Sequence, residues 1–330
     1  MKFGVGMYSA QRPSGSKRSF SDLYADMLRQ ARLAEEVGLD SFWIAEHHFA
    51  EDGYVPAILP VCAAVLASTT RLVAGTAVAI ASFYHPLRLA EDAIALDLLS
   101  GGRFVLGLGT AYRAEEFAGF GVAPETDEPR LDETIEILER AFSGRAFSHA
   151  GRFHQVPELT VTPPPRTPGG PPLILAGDGV IDRDAMRAAQ RGKAYMIDPA
   201  LPLDEVKRLV DLYDGAFGEG EKPDLPLFNY GFISDDADPW ELMRDGFTYL
   251  RQTYDRWGRR PVREVHRENH RLILGTRAEV TEQVLDYHHL FGDRTHFIMR
   301  LDYPGQDPDV SDAGVRAFGD VAAAVRRTLG

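Results

Sequence analysis

The chain has 330 residues, one cysteine and a net charge of −13 at pH 7. A single cysteine excludes a disulfide framework and a thiolate metal cluster. The acidity counts against a nucleic-acid partner, because phosphate backbones need a basic face. No run of about 18 apolar residues is available to span a membrane, and no long apolar stretch follows Met1, so a cytoplasmic protein with no membrane partner is expected. The length suits one α/β domain over 1–330.

Apolar runs of strand length alternate with amphipathic stretches, the pattern of βα units around a parallel sheet. Residues 2–8 read as the first strand. A helix over 21–37 places Leu23, Met27, Ala31 and Ala34 on one face, with Ser19 or Ser21 as its cap and Gly38 as its stop. The second strand covers 41–45 and its helix 57–68. Residues 71–80 are nearly all apolar or small, as a strand buried on both faces should be. A helix over 85–98 and a fourth strand over 103–108 follow. After a helix at 130–142 and the segment 147–153 comes a proline-rich run, 163–172, which reads as an insertion loop because the alternation resumes beyond it. Strands at 173–176, 194–197, 226–233 and 296–301 are spaced by helices at 185–190, 203–217, 240–257 and 277–291, with a closing helix at 311–329. The polar stretch 259–271 has no placement. Eight strands predict a single (β/α)8 barrel with insertion loops.

In such barrels the reactive groups come from the C-terminal ends of strands. Glu46-His47-His48-Phe49 follows the second strand. Neighbours on an extended segment point to opposite sides, so at most one histidine faces the axis, which counts against a two-histidine metal site. No His-x-His or His-Glu-x-x-His spacing occurs either, and no metal is expected. An isolated histidine reads as structural, but three ionisable side chains at a strand end favour function. The small residues of 74–78 admit either a flat ligand or tight packing of a helix against the sheet. Gly107 and Gly109 form Gly-x-Gly without the third glycine of a dinucleotide fingerprint, deep in the chain. Gly177-Asp178-Gly179 reads equally as an anion nest or a tight turn.

Taken in order, these segments resemble the bacterial luciferase-like flavin-dependent monooxygenase family over nearly the whole chain. The resemblance rests on Glu46-His47-His48-Phe49; on Gly75-Thr76-Ala77 with His85-Pro86 and Ala90-Glu91-Asp92; on Leu99-Ser100-Gly101-Gly102-Arg103-Phe104 with Gly107, Glu116-Phe117 and Phe120-Gly121-Val122; and on Leu274-Gly275-Thr276 with Glu279-Val280. It implies reduced FMN at the barrel mouth, with O2 adding to the flavin to give a peroxide that oxidises a small organic substrate.

By the same resemblance His47 is the catalytic base or proton donor, a role worth about 10²–10⁴ in rate, and His85 a second histidine that tunes the site. Thr76 and Ala77-Val78 match the bulge, often with a cis peptide, that backs the isoalloxazine. Arg130 matches a phosphate-contacting arginine, and Ala176 with Gly177, Asp178 and Gly179 matches the phosphate loop. Gly109 stands where luciferase has a reactive cysteine and Thr110 where it has a phosphate-binding arginine. Those departures count against light emission and an aldehyde substrate and leave flavin binding intact.

With no nicotinamide fingerprint in view, a separate flavin reductase is the expected partner. The alternatives are a deazaflavin coenzyme with hydride transfer, whose enzymes tend to carry an Asp-His pair where this chain has Glu46-His47-His48, and a non-catalytic flavin-binding protein. Glu46, Phe83, Tyr84, Tyr112, Phe228 and Tyr230 are expected around an apolar substrate. Two copies are expected to pair as a homodimer, with the apolar face 58–66 available for it.

Overall fold

A computed structural model describes residues 1–176 and 182–330. In chain order the elements are β1 (Lys2–Tyr8), α1 (Phe20–Glu36), β2 (Ser41–Ile44), α2 (Ile58–Ser68), β3 (Val73–Thr76), β4 (Ala79–Ile80), α3 (Pro86–Ser100), β5 (Phe104–Gly109), α4 (Ala114–Phe120) and α5 (Asp127–Phe142). They continue with β6 (Phe147–Ala150), β7 (Gln155–Leu159), β8 (Leu173–Ala176), α6 (Asp182–Gln190), β9 (Ala194–Met196), α7 (Leu203–Ala216), β10 (Leu225–Ile233), α8 (Pro239–Trp257), β11 (Leu272–Gly275), α9 (Arg277–Phe291), β12 (Thr295–Arg300) and α10 (Pro308–Leu329). A curled sheet runs in the order β11-β10-β12-β1-β2-β3-β5-β8-β9, with β4 beside β5, and every pairing in it is parallel. One further parallel bridge joins Ile197, just past β9, to Leu227 of β10.

Local chemistry sets the boundaries. Ser19 caps α1 in a capping box with Asp22, and Thr276 and Glu279 do the same for α9; each reciprocal pair satisfies amide donors that a helix start leaves open. Gly101 at φ 70° and Gly121 at φ 67° end α3 and α4 in the left-handed conformation that glycine adopts without penalty. The expected eight strands are all present, with ends shifted by one or two residues. The third is broken into β3 and β4, and the Ala77–Val78 peptide between them is cis.

The structure adds four elements to the expected set. The helix α4 has seven residues, too few for an apolar period to show. The hairpin β6–β7 occupies the segment after α5. Strand β11 follows directly on the stretch without placement, 259–271, and pairs with the upper half of β10, Tyr230 to Ile233.

Alternation along the strands aims one set of side chains into the curl of the sheet. Trp43 packs edge-on against Phe228 at 5.5 Å and His296 at 5.9 Å. Its indole Nε1 donates to Ser41 Oγ at 2.8 Å, and Ser41 Oγ lies 2.7 Å from His296 Nε2. These contacts define inward columns of Ser41 and Trp43 on β2, Phe228 and Tyr230 on β10, and His296, Ile298 and Arg300 on β12. Glycine makes the room. A Cβ on Gly75 would lie 2.2 Å from the Trp43 ring, and one on Gly6 would lie 2.7 Å from Trp43 Cβ. At Gly75 the room is taken by the Trp43 indole of the adjacent strand β2, and not by a helix packed against the sheet.

Helix α8 packs against β10 and β11 and also reaches the loops at the C-terminal ends of the strands. Tyr249 reaches Asp52 in the loop after β2 at 2.9 Å, Tyr254 reaches Tyr54 at 3.0 Å, and Gly246 abuts Tyr303 after β12. The apolar face 58–66 is not free for a second copy. Ile58, Leu59, Val61, Cys62, Val65 and Leu66 are buried within the chain, where α2 packs on α1, α3, β2 and β3. The large apolar side chains left exposed nearby are Leu98 and Leu99 at the end of α3, Leu99 at 82%.

Candidate active site

The loop after β2 is pinned by its own backbone and by α4. The His47 amide donates to the Val55 carbonyl at 3.1 Å. Phe49, at φ 55°, lays its ring where a Cβ on Gly119 would be 2.2 Å away, so glycine in α4 gives the ring its seat. From the same helix Glu116 Oε1 accepts from the His48 amide at 2.8 Å and meets His47 Nδ1 at 2.9 Å. Arg113 donates to the His48 carbonyl and lies over the Trp257 ring at 4.2 Å.

His47 is buried, ringed by Tyr54, Tyr112, Tyr254 and Trp257 at 4.7–6.2 Å between ring centres. Burial pushes its imidazole below the ordinary range, against an upward pull from Glu116. Burial would raise Glu116, but the hydrogen bonds from His47 and the His48 amide, with the Arg113 charge beside it, hold it below the ordinary carboxylate range. A neutral imidazole beside an ionised carboxylate must carry its proton on Nδ1. Nε2 is therefore the basic nitrogen, and it accepts from the Tyr112 hydroxyl at 3.2 Å. Tyr112 is 49% exposed and stands between Nε2 and solvent.

His48 faces a different set of groups, as extended geometry requires. Its Nε2 lies 2.6 Å from Glu46 Oε1, and Glu46 Oε2 accepts from Tyr84 at 2.9 Å. Burial raises the Glu46 carboxyl above its ordinary range. With both oxygens engaged and the side chain inaccessible, Glu46 backs the wall rather than facing the opening. Phe83 stacks on Phe120 at 4.5 Å, alongside His48.

The other expected residues fall in three places. Thr76, Val78, Gly109 and Ala176 meet at adjoining strand ends: the Thr76 hydroxyl bonds both the amide and the carbonyl of Gly107, and a Cβ on Gly109 would lie 2.6 Å from Val78 and 3.6 Å from the Ala176 carbonyl. Ala77 is buried beside them, and Thr110 opens the next turn, whose Ala111 amide donates to Asp127 at 2.8 Å.

Arg130 rests over Phe153 at 4.4 Å, held by Thr126 Oγ1 at 3.1 Å. His85 is exposed, caps α3 through Nδ1 and touches His154 edge-on at 5.3 Å. It stands apart from the rings around His47, near the Arg130 and His154 patch. Phe228 belongs to the packed interior below, and Tyr230 sits one layer higher, at the mouth. Gly177, Asp178 and Gly179 lie outside the described residues. Among the described residues no group of three or more His, Cys, Asp or Glu side chains is placed to hold a metal ion.

Sequence reasoning missed Glu116, Arg113, Tyr54, Tyr254, Trp257 and Arg300 as site residues. Glu116 was visible only as a motif letter, and its place in the first turn of α4 disguises it as ordinary dipole compensation. Arg113 is the N-cap of α4 and Tyr54 lies in the loop after β2, while Tyr254 and Trp257 come from α8 and Arg300 from β12, which only the three-dimensional fold brings to His47.

The fold and site together define an α/β protein with a buried imidazole, oriented by a carboxylate, at the C-terminal ends of a curled parallel sheet. The chain belongs to the luciferase-like monooxygenase family, whose model matches residues 1–294. It is 26% identical over 243 residues to the oxygenase component of flavin-dependent trigonelline monooxygenase from Acinetobacter baylyi, covering 71% of this chain and 66% of that protein. The chain spans about half to two thirds of the length of curated relatives it matches. The crystal structure of monooxygenase RslO1 from Streptomyces bottropensis superposes with a TM-score of 0.83 at 25% identity, covering 98% of this chain and 99% of that one. The oxygenating constituent of 3,6-diketocamphane monooxygenase from Pseudomonas putida, solved with FMN, shares the fold at a TM-score of 0.79 and 20% identity, with 98% and 99% coverage.

Proposed function

We propose that this chain is the oxygenase of a two-component flavin-dependent monooxygenase. It is read as a single barrel domain, closed at the Ile197–Leu227 bridge, that takes reduced FMN from a separate cytoplasmic reductase and uses O2 to oxidise a small organic substrate. A homodimer is part of this reading, with Leu98 and Leu99 of α3 as the apolar surface it covers. The observation that carries the proposal is the His47–Glu116 pair: a neutral imidazole with Nε2 free to take a proton at the mouth of the sheet.

The residues fit the flavin. Val78, Gly109 and Ala176 present small groups along adjoining strand ends, and Arg130 offers a guanidinium whose hydrogen bond is to a hydroxyl, which suits a phosphate. Bound there, reduced FMN supplies two electrons to O2, so that one oxygen atom enters the substrate and the other leaves as water. His47 Nε2 accepts and returns the proton that such a reaction moves, Glu116 stabilises the imidazolium formed meanwhile, and Tyr112 relays to solvent. Tyr54, Tyr254 and Trp257 keep bulk water from the imidazole.

Oxygen uptake tests the proposal. With a flavin reductase, FMN and a substrate panel, the expected result is O2 consumption coupled to a product one oxygen atom heavier. Turnover with a reduced deazaflavin coenzyme and no O2 uptake would contradict it.

A further inference from the structure

Arg300 is the last residue of β12 and tops the inward column above Ile298, in register with Tyr230. It is 1% exposed. Its Nε donates to the Asp302 carbonyl at 3.0 Å and its Nη2 to Ser9 Oγ at 2.7 Å, so neither partner carries charge. Nη1 has no hydrogen-bond partner among the described residues. The Asp302 carboxylate lies near enough to act on its charge but accepts a hydrogen bond from Ser311 rather than from the guanidinium; a buried guanidinium without a hydrogen-bonded anion is costly, and an anion at Nη1 would offset that cost.

The other groups facing it are phenols. Tyr54, Tyr230 and Tyr254 all lie close enough to act on its charge, and burial keeps each of them protonated. Tyr54 and Tyr254 share one hydrogen bond between their hydroxyls at 3.0 Å, so one of the two O–H groups has a proton left to donate. The Tyr230 hydroxyl accepts from Arg251 and likewise keeps its own proton. The layer above Ile298 is therefore rich in donors, and the ring of Tyr54 joins it directly to His47, 4.8 Å away.

We propose that Arg300 Nη1, with the hydroxyls of the Tyr54–Tyr254 pair and Tyr230, binds the carboxylate of the substrate, which makes the substrate a small aryl or cycloalkyl carboxylate. A planar guanidinium edge matches a carboxylate, and the surrounding aromatic rings suit a hydrocarbon ring. This rests on the oxygenase reading for its meaning in catalysis, but the binding site stands without it.

Calorimetric titration of the full chain with benzoate and with the neutral isostere benzamide tests the proposal, using wild type, Arg300→Met and Arg300→Lys. The expected result is benzoate binding at least about tenfold tighter than benzamide in wild type, loss of that preference in Arg300→Met and partial retention in Arg300→Lys. Equal binding of the two probes in wild type overturns the proposal, and that comparison needs no variant to fold. Unchanged benzoate affinity in Arg300→Met also overturns it. So does an Arg300→Met chain that keeps benzoate and loses reduced FMN, which would give the guanidinium to the flavin. Wild type that binds benzoate as expected but never binds reduced FMN would instead strike the oxygenase reading alone.

Discussion

Glu116 takes hydrogen bonds from the His47 ring and the His48 amide on one oxygen, so the carboxylate stays ionised and the imidazole keeps its proton on Nδ1. Replacing His47 with alanine is expected to lower product formation by about 10²–10⁴. In Glu116→Gln the imidazole loses a charged hydrogen bond worth about 1.5–3 kcal/mol, which corresponds to a rate loss of about tenfold to a hundredfold if it acts in the transition state. The same change removes the group that pulls the His47 pKa up. The acid limb of the pH–rate profile is therefore expected to move to lower pH, and a limb that stays in place would mean that another group titrates. The histidine motif was legible in the sequence because its three ionisable residues are contiguous. Its partner was not, because Glu116 lies 69 residues from His47 and meets it only when α4 docks.

At the level of elements, the apolar periods located all eight strands and the long helices, since each run of four or more apolar residues has few other ways to be buried. They could not show where α8 lies. Its buried Met243, Phe247 and Leu250 give it an amphipathic period like that of an outer helix, whereas its Tyr249, Tyr254 and Trp257 reach the loops at the mouth. The packing of Trp43 into the glycines of β1 and β3 was equally hidden, because a Gly in a strand reads the same whether a ligand or an indole fills its space. Gly75→Ala is expected to destabilise by about 1–3 kcal/mol through overpacking against Trp43. The double variant with Trp43→Leu should lose less stability than the sum of the two single losses, measured by urea unfolding as a coupling energy opposite in sign to the penalties. Simple additivity would show that the ring is not what Gly75 accommodates.

For the whole molecule, burial holds His296 near a pKa of about 4 against its ordinary 6.5. The unfolded chain binds this proton below 6.5 and the folded chain only below about 4, so stability falls as pH drops through that window. The loss amounts to about 3 kcal/mol from this one group. The buried His47 is shifted in the same direction. Urea unfolding at pH 7 and pH 5 should show the decline, and His296→Gln should flatten it; an unchanged slope would mean that His296 is protonated in the fold. Arg103 ties the bottom of the same structure together, donating to the carbonyls of Leu66, Leu72 and Ser100, so part of the motif that carried the family resemblance serves the frame and not the chemistry. The claim on which the functional account depends is that reduced FMN binds across these strand ends with its phosphate at Arg130. Anaerobic titration with reduced FMN measures this directly, without knowledge of the substrate. The account expects saturable binding by wild type, little change in His47→Gln and a loss of about tenfold in Arg130→Gln; no binding by wild type, or full affinity in Arg130→Gln, would contradict it.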